Sequence, residues 1–92
     1  MSPEAAETYA LKVLGWMVGD AEILPIFMGS SGSSADDIKK RAQDSDFLIA
    51  VLDFVMLDDA WVLACCQVCA LEPEAMQTAR QALPGGGVFN WT

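Results

Sequence analysis

The chain has 92 residues, of which 53% are hydrophobic and 20% are charged, which predicts one small domain with more apolar surface than so short a chain usually buries. Its net charge of −8, from thirteen acidic and five basic residues, argues against binding to nucleic acid or to an anionic membrane surface, since both need a basic face. The first residues lack the features of a signal peptide, no apolar stretch is long enough to span a bilayer, and three cysteines fit a reducing cytoplasm.

Helix signals recur along the chain, and strand signals do not. Ser2 and Pro3 suit the cap and first position of a helix. Apolar residues then follow at helical spacing until Gly19, where we expect this helix to end and Asp20 to cap the next one. The predicted buried side of this first helix is Ala6, Tyr9, Ala10, Val13, Leu14 and Met17.

Five further helices are predicted after the first. The second has Pro25 near its start, which makes its first turn irregular. Ser34 and Asp37 have the spacing of a capping box. Either Asp44 or Ser45 suits the cap of the fourth helix, and Asp58 suits the cap of the fifth. The expected helices after the first are 21–30, 35–43, 45–57, 59–71 and one that opens at Glu72-Pro73-Glu74, buries Met76, Ala79 and Leu83, and ends at 84–87.

The fourth and fifth predicted helices have almost no polar face. "FLIAVLDFVML" carries one charge in eleven residues, and "AWVLACCQVCAL" has only Gln67 as a polar residue. A helix that is apolar all round is either wrapped by its neighbours or lies in an interface. We therefore expect an all-α compact bundle of five to six short helices, in which either the core is very dense or part of the apolar surface is covered by a second chain.

The two halves of the chain resemble each other with a period of 38 residues. "VLGWMVGD" at 13–20 matches "VLDFVMLD" at 51–58. The match continues through the cap, from Asp20 to Asp58, and into a helix that starts at the same offset in each half. This pattern indicates two tandem three-helix units within a single domain of residues 1–92, the second supplying more of the core.

The segments "ALKVLGWMVGD", "DFLIAVLDFVMLDD" and "LEPEAMQTARQALPGG" resemble those of the bacterial domain of unknown function 3572 family. The resemblance runs over residues 8–92. It implies a stand-alone cytoplasmic helical protein without an assigned activity, cofactor or catalytic residue. The segment "FMGSSGSSADD" is poorer in apolar residues than the family's second turn.

The fifth predicted helix contains three cysteines in one five-residue segment: Cys65, Cys66 and Cys69. They could form a thiol redox pair or a thiolate-metal site, but the motif lies in mid-helix among apolar residues, where a thiol pKa is raised. Three cysteines without any histidine cannot complete a structural zinc site in one chain. We therefore interpret them as small buried side chains.

No arrangement typical of an enzyme is visible in the sequence. Histidine is absent, which removes the commonest general base and metal ligand. The carboxylates fall at predicted helix starts, where they act as caps. Asp53 is the exception, because it lies in mid-helix, and we expect it to face solvent rather than to make a buried polar contact. We predict neither catalytic residues nor a cofactor.

The leading functional hypothesis is an acidic, cytoplasmic, non-enzymatic module that binds another protein or itself, possibly as a homodimer. Aromatic side chains dominate such interfaces. We expect the 88–92 tail after the helical body (1–87) to dock on the domain or on a partner chain. Alternatives are the thiol redox or metal role and a small pocket for an apolar ligand. The candidate interface residues are Trp16, Phe54, Trp61, Phe89 and Trp91.

Overall fold

The computed structural model describes residues 1–83. The predicted docking of the tail, with Phe89 and Trp91, therefore lies outside the described residues. Within residues 1–83 every regular element is a helix, which confirms the all-α prediction. The six helices are α1 (Pro3–Val18), α2 (Ile23–Ser31), α3 (Ala35–Arg41), α4 (Ser45–Val55), α5 (Asp59–Cys69) and α6 (Pro73–Ala82). None of these helices is long and apolar enough to cross a membrane.

Side-chain caps set the starts of four of the six helices, α1, α3, α4 and α5, as the sequence predicts. The Ser2 hydroxyl accepts the backbone N–H of Ala5 at 3.1 Å. Ser34 and Asp37 form both hydrogen bonds of a capping box, and these bonds hold the pKa of Asp37 below its ordinary value. Asp44 and Asp58 each accept a backbone N–H in the first turn of the helix that follows. These bonds satisfy donors that the first turn would otherwise leave unpaired.

The helix ends differ from the predicted ones by small shifts with local causes. Asp20 accepts the backbone N–H groups of Glu22 and Ile23, so residues 21–22 form a turn and α2 begins at Ile23. Pro25 therefore lies in the first turn of α2, where its missing N–H costs little. The third, fourth and fifth helices each end two residues earlier than predicted.

Helix α1 lies at the centre of the fold and packs against α4, α5 and α6. Its six predicted core residues are all buried. Helix α4 is covered on most of its surface, with seven of its eleven residues buried, so the prediction of a wrapped apolar helix is correct for α4. Met76, Ala79 and Leu83 form the buried side of α6, as expected.

Some helix boundaries keep the predicted 38-residue period, whereas others differ from it by up to four residues. Helices α2 and α5 end 38 residues apart, as do the starts of α3 and α6. Gly32 and Ala70, again 38 residues apart, both follow a helix with left-handed backbone, at φ 72° and 57°. The packing does not repeat, because α6 lies against α1 and α4 whereas α3 makes little contact with any helix. More of the core comes from the second unit.

Ala70 is strained in a way that Gly32 is not. A left-handed φ is easy for glycine but costs roughly 1 kcal/mol for a residue with a Cβ atom. We therefore expect Ala70→Gly to raise the free energy of unfolding by about 0.5–1 kcal/mol. Urea denaturation followed by circular dichroism measures the change. The reciprocal variant, Gly32→Ala, should lower it by a similar amount, and stabilisation by Gly32→Ala would contradict this reading.

Candidate functional site

Helix α5 leaves one continuous stripe of its surface uncovered. Only Cys65 and Cys66 of its residues are buried. Exposed residues follow at i, i+3, i+4, i+7 and i+8, the spacing of one helical face. We name this stripe the α5 outer face: Ala60, Leu63, Ala64, Gln67 and Val68. The α5 outer face carries no charge. Because neighbouring helices do not cover this face, α5 is not the wrapped apolar helix that α4 is.

The most exposed large apolar side chains lie together in the chain. Leu57 is 79% exposed, Val68 is 74% exposed and Leu63 is 60% exposed. Leu63 and Val68 belong to the α5 outer face, and Leu57 lies in the turn that leads into α5. Scattered exposed leucines are normal on a protein surface, whereas a contiguous apolar group marks a binding surface.

The aromatic residues proposed for an interface occupy different places. Trp16 and Trp61 are each partly buried. Phe54 is only 8% exposed, because its ring packs against Phe27 on one side and Trp61 on the other. It therefore has little surface to offer a partner. The described residues do not bring Trp16, Phe54 and Trp61 into one exposed patch, and the role of these side chains in binding stays a prediction.

The cysteines face α1 rather than solvent. Cys65 and Cys66 are buried and Cys69 is partly buried. The Tyr9 hydroxyl donates to the backbone carbonyl of Glu72 at 2.8 Å and lies 3.7 Å from the Cys66 sulfur. The Cys69 thiol donates to the backbone carbonyl of Lys12 at 3.7 Å. The thiols thus join α5 to α1 and to the start of α6.

Burial opposes ionisation of two groups in this cluster, Cys65 and Tyr9. Burial, assisted by the neighbouring Cys69, raises the pKa of Cys65 to about 12. Burial and the contact with Cys66 also raise the pKa of the Tyr9 hydroxyl well above its ordinary value. The thiolate is the species that attacks a disulfide or binds a metal. In the described chain, no three side chains of the metal-binding types are grouped around one point.

A thiol titration tests the redox or metal alternative. We expect Cys65 and Cys66 to react with an aromatic disulfide reagent at pH 8 at least 100-fold more slowly in the native state than in denaturant, because both side chains are buried and the pKa of Cys65 is raised. Cys69, which is partly buried, should react at an intermediate rate. Mass spectrometry of the labelled peptides assigns each rate. Rapid native labelling of Cys65 or Cys66 would favour a reactive thiol pair.

Asp53 has a partner that sequence reasoning missed. Arg80 of α6 donates to both of its carboxylate oxygens, with Nη2 at 3.2 Å from Oδ2. The Asp53 side chain is 46% exposed, so it faces solvent in part, as predicted, and also links α4 to α6. A bidentate arginine–carboxylate pair fixes the relative orientation of the two helices better than a single hydrogen bond does. The available signal was that Arg80 is the one basic residue of α6 and that Asp53 is the one acidic residue of α4 beyond its first turn.

Two open clefts lie beside α4. One, of about 340 Å³, runs between α2 and α4 with Phe27 and Phe54 at its base and Asp53 and Leu57 among its lining residues. The other, of about 390 Å³, lies between α5 and the first half of α6, just after α4, and is lined by Met56, Asp59, Val62, Pro73, Glu74 and Gln77. Enclosed cavities suit small apolar ligands. Open clefts suit the side chains of a protein partner better.

Comparison with known proteins identifies the family. A family model described as protein of unknown function (DUF3572) matches residues 3–86. No curated protein and no solved structure matches the chain. The match includes all six helices and the α5 outer face. The chain therefore belongs to the DUF3572 family, as its sequence resemblance implied.

Proposed function

We propose that this domain is an acidic, non-enzymatic interaction module of the cytoplasm, which binds another protein chain through the α5 outer face. The observation that carries the proposal is the α5 outer face, an uncharged stripe that holds Leu63 and Val68, two of the most exposed large apolar side chains within residues 1–83. Covering a leucine side chain stabilises a complex by about 1.5–3 kcal/mol before the cost of association is subtracted.

The shape of the α5 outer face also supports a helical partner. Ala60 and Ala64 lie one turn apart on it, between the larger Leu63 and Val68. The larger side chains form ridges on the helix surface, and the small ones between them form a groove. The distance between two packed helices depends on the size of the side chains at their contact. Alanines at the centre of the stripe allow a second helix to come close. The absence of charge from these five residues avoids the cost of burying an ion.

Site-specific crosslinking tests this function. We place a photoreactive amino acid at position 63 or 68 and, as matched controls, at the half-exposed apolar positions Ile26 and Val18. We expect a discrete adduct from positions 63 and 68 and none from the controls. Excess unlabelled wild-type chain should abolish the adduct, because it competes for the same partner.

The competitor Leu63→Asp provides the specificity control. Leu63 is exposed, so the substitution should leave the helical circular dichroism spectrum unchanged, yet it places a charge at the centre of the proposed surface. This variant should fail to compete even in tenfold excess. The α5 outer face is not the binding surface if the probe at position Val18 gives as much adduct as the probe at position 63. The same conclusion holds if Leu63→Asp competes as well as the wild-type chain.

A further inference from the structure

We infer that the cleft between α2 and α4 is a binding site for aromatic side chains, and that its occupant is residues 88–91 of the same chain. These residues lie outside the described part of the chain. The lining of the cleft, the place where α6 ends and the composition of the segment support this occupant. The site is separate from the α5 outer face, so the inference goes beyond the proposed function and does not depend on it.

The cleft has an aromatic base and an exposed apolar side. Ala50, Phe54 and Leu57 line it from α4 and the turn that follows, at the spacing of one helical face. The rings of Phe27 and Phe54 meet edge-to-face at its base, with centres 5.2 Å apart. Leu57 beside them is 79% exposed. A further aromatic ring would extend this group and cover Leu57.

The polar residues of the cleft suit an uncharged occupant. Ser30 and Ser31 line the α2 side, and the Ser31 hydroxyl donates to the carbonyl of Phe27 at 2.8 Å. Asp53 is the one charged residue in the described lining. Arg80 already donates to both of its carboxylate oxygens. Covering the cleft would therefore not bury an unpaired ion.

The same ion pair places the end of α6 beside the cleft. Arg80 precedes Leu83 by three residues, which is about 4–5 Å along a helix. Leu83 is 2% exposed and has extended backbone, so the chain leaves α6 from a point held in the core. Because packed helix axes lie about 8–10 Å apart, this point is roughly 10–15 Å from Asp53.

The residues after Leu83 have the reach and the composition that the cleft requires. The sequence "PGGGVFNWT" at 84–92 carries no charge and places Val88, Phe89 and Trp91 after three glycines. Phe89 follows Leu83 by six residues, and an extended chain of that length spans up to about 20 Å. Both aromatic side chains can therefore reach the cleft. Their removal from water favours binding there.

The cleft between α5 and α6 suits this segment less well. Asp59 and Glu74 line it, so apolar side chains placed there would cover two carboxylates, which is unfavourable. It also adjoins the first half of α6, the end of that helix that lies farther from Leu83. The segment would have to run back along α6 to enter it.

Photocrosslinking within one chain tests the inference. A photoreactive phenylalanine analogue replaces Phe89 or Trp91, and mass spectrometry of the digested protein locates the adducts. We expect adducts on residues 30–31 of α2 and 50–57 of α4. An equal mixture of chains with ordinary and heavy nitrogen is irradiated at about 1 μM, where a weak complex between two chains is dissociated. Each adduct should then join peptides of one isotope only.

A matched pair of variants shows whether the cleft itself holds the segment. Ala50 is exposed, so Ala50→Glu should keep the helical circular dichroism spectrum while it places a charge in the cleft. We expect it to lower the adduct yield by at least about fivefold. Ala64→Glu makes the same change at an exposed position of α5, and it should alter the yield by less than about twofold.

The other outcomes overturn the inference. Adducts that join ordinary and heavy peptides would mean that a second copy supplies the segment. Adducts on the residues that line the cleft between α5 and α6, or no adduct from either probe position, would place the segment elsewhere. A yield that Ala50→Glu leaves unchanged would also contradict it. None of these results bears on the α5 outer face, which the probes at positions 63 and 68 test separately.

Discussion

Replacing Phe27 with alanine should lower the free energy of unfolding by about 3–5 kcal/mol, which is a large part of the stability of a domain this small. The ring is 2% exposed. It packs edge-to-face against Phe47 and Phe54, with ring centres 5.8 Å and 5.2 Å away. Such pairs contribute beyond their buried area. Ile23 is the only other buried residue of α2, so the variant should also loosen α2 from the bundle.

Urea denaturation followed by circular dichroism measures this effect. The midpoint of Phe27→Ala should fall by more than 1 M, given a slope of about 1–3 kcal/mol per molar urea. Ile26→Ala is the matched control, because Ile26 lies next to Phe27 on α2 but is 49% exposed. It should cost less than about 1 kcal/mol. If both variants lose the same free energy of unfolding, burial of Phe27 among these aromatic rings does not stabilise the packing of α2.

Replacing Tyr9 with alanine should have an effect of similar size, about 3–5 kcal/mol. Tyr9 is 6% exposed and links three helices. It belongs to α1, and its hydroxyl donates to the carbonyl of Glu72, just before α6, and contacts Cys66 of α5. The substitution removes the ring from the core and leaves the Glu72 carbonyl without this donor. Loss of this partly buried hydrogen bond adds its own cost.

The variant Tyr9→Phe separates the hydroxyl from the ring. It keeps the packing and removes only the hydrogen bond, so we expect a loss of about 1–2 kcal/mol. The difference between the two variants gives the contribution of the ring. Chemical denaturation at pH 7 measures both, since Tyr9 and Cys65 are protonated there. A Tyr9→Phe variant as stable as wild type would show that the bond to Glu72 contributes nothing.

The starts of the helices were predictable because local chemistry determines them. Ser2, Ser34, Asp44 and Asp58 act as caps in the structure because their short side chains reach the backbone of the next turn. No distant contact is needed for this effect. The helix ends were less predictable, since a helix can stop at an alanine. Ala70 does so with a left-handed φ, which a sequence rule that looks for glycine does not anticipate.

The candidate site was less predictable, because burial depends on which helices meet. Helices α4 and α5 look equally apolar in the sequence, yet α4 is almost wholly covered and α5 exposes a whole face. Sequence reasoning gave weight to aromatics such as Phe54, which proved to be buried. The residues that are exposed, Leu63 and Val68, are aliphatic. Where a helix is apolar on all sides, the spacing of its apolar residues does not indicate which side a neighbouring helix covers.

Helix α3 has a consequence for the dynamics of the domain. It has seven residues and one buried side chain, Ile38, and it makes little contact with the other helices. A helix so short is unstable by itself, so its amide protons should exchange with solvent through local opening rather than through global unfolding. The stretch from Gly32 to Asp44 would then detach and re-form while the rest of the bundle stays folded, which makes it the first place for a protease to cut.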